Sequence, residues 1–596
     1  MVSMSNSFRR ESNAGVKQHD NFVTKTVSAT APDTKSPGVR RVEALASTYS
    51  STAILFLLFA IFIAAYAYDL DGTIRYTYQS FATSELKVLG LLSTIGVLRS
   101  IIGAAAQPTF AKLADVFGRW ELLCVSLFFY VLGTIVEATA KSINTFAAGV
   151  ILFQVGFSGI NIINTVLIGD MVSLRYRTLA TVVPIMPYIV NVWISGNLTS
   201  SVLKVTTWRW GMGMFAIIMP VVSIPLIGQL WWKGRQAKKA GVLDGLFGSF
   251  HGLKWWQALI KFFWMLDVVG VILMIAVFAL ILTPLTLAGG VEDTWHKAHI
   301  IAPLVVGFVT IPFFVVWELY TKHPIIPFRM LNDRSVWGAL GVGIFFDFAW
   351  YMQGDYLYTI LIVAYDESIL SATRITNLYT FVSTLTAVCV GIVVAHPRVQ
   401  RIKPFILFGI LMWFPAFGML IYFRGDGTSR AGIIAAQVLL GFGAGFFTYP
   451  TLVSAQAAVK HEHLAVITGL YLAFFYIGSA FGNSVSGAVY TNLLPGQLQR
   501  NLARVSSNTT LASSVYASAL TVALEYPIGT IERTAIVESY KHVQKILCIV
   551  GLCLCVPLAG FAFCLRDPKL VAKQSLKDDA SVTSSETEGD FARDRA

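Results

Sequence analysis

Two short stretches of this chain put ionisable and aromatic side chains where the surrounding sequence is apolar. The first is Tyr68-Asp69-Leu70-Asp71-Gly72-Thr73-Ile74-Arg75-Tyr76-Thr77-Tyr78-Gln79, which follows an uncharged run beginning at Ala44. Asp71 and Arg75 are i, i+4 and can pair on one helix face. If the helix ended before them, they would be a surface ion pair in a loop. The second stretch holds Asp347, Trp350, Tyr351, Gln353, Asp355, Tyr356 and Tyr358. Asp347 and Asp355 are a little over two helical turns apart, so both can face one cavity. Arg99 lies deep in another apolar run, where it can pair with an acid of the first stretch, a pairing that sequence alone does not decide. Glu137, Asp267 and Glu318 stand near run ends, where each can reach the interface. Charges at membrane depth are expensive, and their chemistry is ion pairing or the carriage of a proton. Tyr76, Trp350, Tyr351, Tyr356, Phe475 and Tyr476 add aromatic faces suited to an organic ligand.

The elements that must position these groups are membrane helices. Of the 596 residues, 55% are hydrophobic and only 13% charged. Uncharged stretches such as 142–169, 178–203, 375–395 and 431–459 are each long enough to cross a ~30 Å hydrocarbon core. Fourteen spans are expected, the first at 51–69, the ninth at 337–363 and the last at 545–565. Lys233, Arg235, Lys238, Lys239, Arg398, Arg401 and Lys403 concentrate in the loops after even-numbered spans. This pattern puts both tails in the cytosol and explains the net charge of +12 without nucleic acid. The long segment 490–544 then faces outward, and its Asn508-Thr509-Thr510 is a glycosylation candidate. No cleavable signal peptide is read in the polar, basic start. Cys548, Cys553, Cys555 and Cys564 lack a nearby His at zinc spacing and read as helix-packing residues, so no metal site or cofactor is expected. Gly441, Gly443, Gly445, Gly478, Gly482 and Gly487 read as close-packing positions. Pro184, Pro187 and Pro450 read as breaks or kinks.

Ala111-Lys112-Leu113-Ala114-Asp115-Val116-Phe117-Gly118-Arg119-Trp120 follows the second span. It resembles the loop 2–3 motif of the major facilitator superfamily, in which an acid-to-arginine turn can latch two helices at the cytosolic face. Asp115, Gly118 and Arg119 match; Ala111, Val116 and Trp120 depart from the pattern. Three segments further resemble the fungal siderophore-iron transporters. They are 68–79, the loop His323-Pro324-Ile325-Ile326-Pro327-Phe328-Arg329, and Glu525-Tyr526-Pro527-Ile528-Gly529-Thr530-Ile531-Glu532-Arg533 with Tyr540 and Gln544. The fourth span lacks the arginine that many proton-coupled relatives carry there. The fifth lacks the Gly-x-x-x-Gly-Pro signature of drug exporters.

The resemblance implies an all-α integral membrane protein of the major facilitator fold, with about 14 transmembrane helices. The expected organisation is a disordered tail (1–50), a six-helix bundle (51–232), a cytosolic central loop (233–263), two inserted helices (264–320), a second six-helix bundle (321–565) including loop 490–544, and a cytosolic tail (566–596). It also implies a monomer that is not an enzyme and imports ferric siderophores by proton symport across the plasma membrane, or an endosomal or vacuolar one. Asp71 or Asp355 would carry the proton. Tyr526, Pro527, Gly529, Thr530, Arg533 and Tyr540 would form an outer capture or gating motif. The competing expectations are a 14-span drug:proton antiporter and a non-transporting nutrient sensor.

Overall fold

The computed structural model describes residues 49–86, 92–172, 174–240, 252, 254–288, 295–328, 331, 333–396, 398–399, 401–427, 429–459, 463–506, 510–517, 519 and 525–567. Asn508, Arg329 and most of both tails lie outside these residues, as does the side chain of Asp115. No strand occurs among the described residues.

The N-terminal bundle contains α1 (Ser51–Glu85), α2 (Leu92–Phe117), α3 (Arg119–Thr139), α4 (Ile143–Met171), α5 (Leu174–Val182), α6 (Tyr188–Val205), α7 (Trp208–Gly213) and α8 (Phe215–Lys239). Then come α9 (Trp255–Met265) and the inserted pair α10 (Val268–Leu287) and α11 (Ala298–Tyr320). The C-terminal bundle contains α12 (Arg334–Gly354), α13 (Leu357–Tyr365), α14 (Ile369–Ala395), α15 (Lys403–Ile421), α16 (Arg430–Ala457), α17 (Leu464–Leu502), α18 (Leu511–Ala517) and α19 (Ile531–Cys564).

Among the described residues, thirteen helical runs are long and apolar enough to cross a membrane. The more polar α2, 26 residues long, is the fourteenth of membrane length and packs between α4 and α17. The fifth span is α5 and α6 joined by a 3-10 turn at Val183–Ile185. Pro184 and Pro187 explain that break, because proline donates no backbone hydrogen bond. Pro450 does not break α16, which runs on to Ala457.

Each bundle has its own apolar core. One gathers around Phe146, Phe153 and Met212, the other around Trp413, Phe417 and Phe447. The α10/α11 pair lies outside both bundles, with α10 against α2 and α17. The bundles meet along two seams, α2 with α17 and α5/α6 with α14. Glycine lets some helices touch backbone to backbone. A Cβ at Gly443 would stand 2.6 Å from the Gly409 carbonyl oxygen.

Helices run further than hydropathy alone suggests. The first continues from residue 69 to Glu85, so the Asp71/Arg75 pair is inside a helix and not in a loop. The physical reason is that its polar side chains find partners within the bundle. Likewise, α17 runs to Leu502 and α19 starts at Ile531, so 490–544 begins and ends as helix. Within 233–263, the basic cluster completes α8 and Trp255 opens α9. Below, the end of the molecule carrying the α2–α3 turn is the motif face, and the opposite end is the long-loop face.

Candidate functional site

Between the bundles lies a cavity of about 440 Å³. It extends from mid-membrane toward the long-loop face, because its walls come from the later half of α1, the first half of α2, the last turns of α12 and the first half of α14. Tyr76, Arg99, Asp347, Trp350, Tyr351, Asp355, Tyr356, Phe475 and Tyr476 all line it. The α1 group divides here. Tyr76 faces the cavity, while Asp69, Asp71 and Arg75 stand behind the wall.

Asp71 and Arg75 belong to a closed knot. The Arg75 guanidinium donates to Asp71 at 2.9 Å, to Glu137 Oε2 at 2.9 Å and to Thr134 at 3.2 Å. It lies 3.8 Å over the Phe153 ring, and the Tyr130 hydroxyl donates to Asp71. Asp71, Arg75 and Glu137 are fully buried. Glu137 therefore does not reach the interface; the Arg75 charge holds it inside.

The two acids on the cavity wall have far fewer partners. Asp347 accepts from the Ser479 hydroxyl, and Asp355 from the Ser486 hydroxyl. Neither has a cation beside it among the described ion pairs. Asp69 Oδ2 is buried and accepts from no donor. Arg99 does not pair with an acid of α1. Its Nε donates to Gln154 Oε1 at 2.9 Å, and its guanidinium faces the Phe153 and Phe157 rings. That leaves a cation at the cavity surface beside aromatic rings.

Several wall residues went unread in the sequence. Phe157, Tyr188, Asn377, Tyr379, Tyr449 and Asn483 line the cavity yet sit in otherwise unremarkable apolar runs. The adjacent prolines at 187 and 450 were the available signal for Tyr188 and Tyr449. Aromatic packing continues toward the long-loop face, where Tyr356 stacks on Tyr490 at 3.9 Å and 2°. Tyr490 in turn meets Tyr516 and Tyr540. The Tyr76 hydroxyl crosses between bundles to the Asp355 carbonyl oxygen at 2.8 Å.

The 526–540 motif stands outside the cavity and organises the start of α19. Thr530 caps that helix by accepting from the Arg533 amide at 3.3 Å, and Gly529 supplies a φ of 98° before it. The Arg533 side chain reaches the Tyr526 and Ile362 carbonyl oxygens, following Pro527 back to α13. Tyr540 is buried beneath.

The motif face is closed. Gly169 meets Leu464, Gly391 meets Leu179, and Gly469 meets Gln107 and Ala111, each across the two bundles. In the motif turn Gly118 takes a φ of 116°, and Arg119 pairs with Asp170 of α4 at 3.0 Å. Lys112 donates to the His323 carbonyl oxygen at 2.7 Å, tying α2 to the connection after α11.

Two helical bundles about a central cavity define a secondary transporter of the major facilitator class. A bacterial homolog of the human lysosomal transporter Spinster, in its inward-facing and occupied conformation, shares the fold (TM-score 0.51, 13% identity, 86% of this chain and 97% of that one). The family model described as fungal trichothecene efflux pump (TRI12) matches residues 17–542. Siderophore iron transporter 1 of Saccharomyces cerevisiae is 45% identical over 95% of this chain and 90% of its own. Siderophore iron transporter ARN1 of the same yeast is 41% identical (92% and 88%), and mirC of Emericella nidulans 31% (95% and 93%). The chain belongs to the fungal siderophore iron transporter family of the major facilitator superfamily.

Proposed function

We propose that the chain imports ferric siderophores by alternating access, driven by protons. The observation that carries this reading is the cavity, which is aromatic-walled, of ligand size and closed at the motif face. A siderophore encloses its iron, so recognition needs aromatic surface and a few polar groups in place of metal ligands. The names of the relatives supply the cargo class.

The motif face is cytosolic in this reading, because the basic loops cluster there. The cavity then lies in the outer half of the membrane, where an import cycle first receives its cargo. The plasma membrane is the natural site, with the protein acting as a monomer. No Gly-x-x-x-x-Gly-Lys-Ser/Thr loop occurs in the sequence, and a membrane potential supplies ~2.3 kcal/mol per charge per 100 mV. Asp355 and Asp347 suit proton carriage, since each is held by one serine hydroxyl. Asp71, locked to Arg75, suits a structural role. Tyr526, Arg533 and their neighbours order the entrance on the long-loop side.

The family model's description raises a second reading, export of an amphipathic toxin through the same cavity. Accumulation of radio-iron-loaded siderophores in cells lacking their own uptake systems decides between them. Chain-dependent uptake abolished by a protonophore supports import. Surface expression with no uptake, but with lowered toxin content, supports export. Tyr526→Ala and Arg533→Ala, checked for surface expression, should reduce import; unchanged uptake would remove the entrance role.

A further inference from the structure

Two buried carboxylates near the motif face are not used by the cavity. Asp267 stands between α9 and α10 with a left-handed φ of 53°. Its Oδ1 accepts from the Gly270 amide at 3.2 Å and from the Trp317 indole of α11 at 2.7 Å. Glu318, next to Trp317, accepts through Oε2 from the Ile326 amide at 3.0 Å, holding the connection after α11. The other oxygen of each, Asp267 Oδ2 and Glu318 Oε1, is buried and accepts from no donor. Both converge on one spot. They lie 2.5 and 2.6 Å from the point a Cβ on Gly270 would occupy. The two residues are 1% and 2% exposed.

Two ionised carboxylates this close, shielded from water, repel strongly. A single proton between them replaces that repulsion with a charge-assisted O–H···O⁻ bond. Among the described residues, the charged and titratable groups facing the pair are Lys112 of α2 and His323 of the connection, with Lys322 beside His323. Burial, and then Lys112, hold the His323 imidazole below its ordinary value, so it is neutral near pH 7. Lys112 therefore balances the one negative charge of a singly protonated pair.

We propose that Asp267 and Glu318 bind one proton between them, and that this site, with Lys112 reaching over from α2, locks the inserted helices to the N-terminal bundle while the motif face is closed. The position suits that task. The α10 helix packs on both α2 and α17, the seam that must part when the cavity opens to the motif face. The inserted pair thereby gains a role that a six-plus-six transporter does not itself require.

The test uses full-length protein in lipid nanodiscs and no substrate, so it stands apart from the identity of the cargo. Infrared difference spectra between acidic and alkaline buffer, in H₂O and D₂O, should show a protonated-carboxyl band missing from both Asp267→Asn and Glu318→Gln. Spin-label distances between α5 and α14 across the motif face report the closed fraction. In the native protein that fraction should fall as pH rises and the pair loses its proton. Glu318→Gln, whose amide stands in for the protonated acid, should stay closed and lose the pH dependence. Lys112→Met and Gly270→Ala should each lower the closed-to-open ratio by about tenfold or more. A native closed fraction indifferent to pH would overturn the proposal. So would a Glu318→Gln profile that follows the native one, or a carboxyl band that persists in both acid variants.

Discussion

What separates one buried acid from another in this molecule is its set of partners. Asp71 is bonded to Arg75 and Tyr130, and it shares the Arg75 guanidinium with a second carboxylate, Glu137. Removing the Asp71 charge leaves Arg75 paired with Glu137 but weakens several hydrogen bonds to a charged group, each worth about 1.5–3 kcal/mol. Asp71→Asn should therefore lower the thermal midpoint and the folded yield sharply, whether or not substrate is present. Asp355 has only the Ser486 hydroxyl and faces the cavity. Asp355→Asn keeps shape and hydrogen bonding and removes the titrating proton. Downhill exchange of labelled siderophore should survive, while accumulation at a 100 mV potential should drop by up to roughly 50-fold. Equal loss of exchange and accumulation would instead make Asp355 a substrate contact. The sequence placed both acids at membrane depth but could not rank them. Ranking needs Tyr130, Thr134 and Glu137, which come from a different helix some sixty residues on.

At the scale of elements, hydropathy found the helices and misjudged their ends. A window average falls as soon as Asp69, Asp71 and Arg75 enter it, although those residues continue α1 for four more turns. Backbone hydrogen bonds carry the helix on, and the tertiary partners that neutralise the charges are invisible locally. The motif around Tyr526 shows the converse. It was legible as a motif, but its spacing does not reveal that Thr530 and Arg533 cap and brace α19. Glycine content was read correctly as close packing, and Gly443 and Gly409 meet backbone to backbone. A methyl at Gly443 must displace the α15 backbone, an overpacking cost of about 1–3 kcal/mol. Gly443→Ala should show that loss as a lower thermal midpoint, with Gly418→Ala, which meets open space, as the matched control.

For the whole molecule, the closed motif face and the offset cavity are two aspects of one arrangement. The bundles meet where α5 and α6 pack on α14 and where α2 packs on α17, and the cavity lies between these two seams, offset toward the long-loop face. No reading of a single chain segment contains this, because it depends on contacts between residues more than two hundred positions apart. It can nevertheless be frozen. A Cβ at Gly391 would lie 3.5 Å from the Leu179 Cβ, within the separation a disulfide requires. Leu179→Cys with Gly391→Cys should therefore cross-link under mild oxidation and hold the motif face shut. Binding from the long-loop side should persist while transport stops, and a reductant should restore it. Each single cysteine variant should transport in either condition. Full transport by the oxidised, cross-linked protein would mean that these two helices do not separate during the cycle, and that the seam between α2 and α17 alone opens the path.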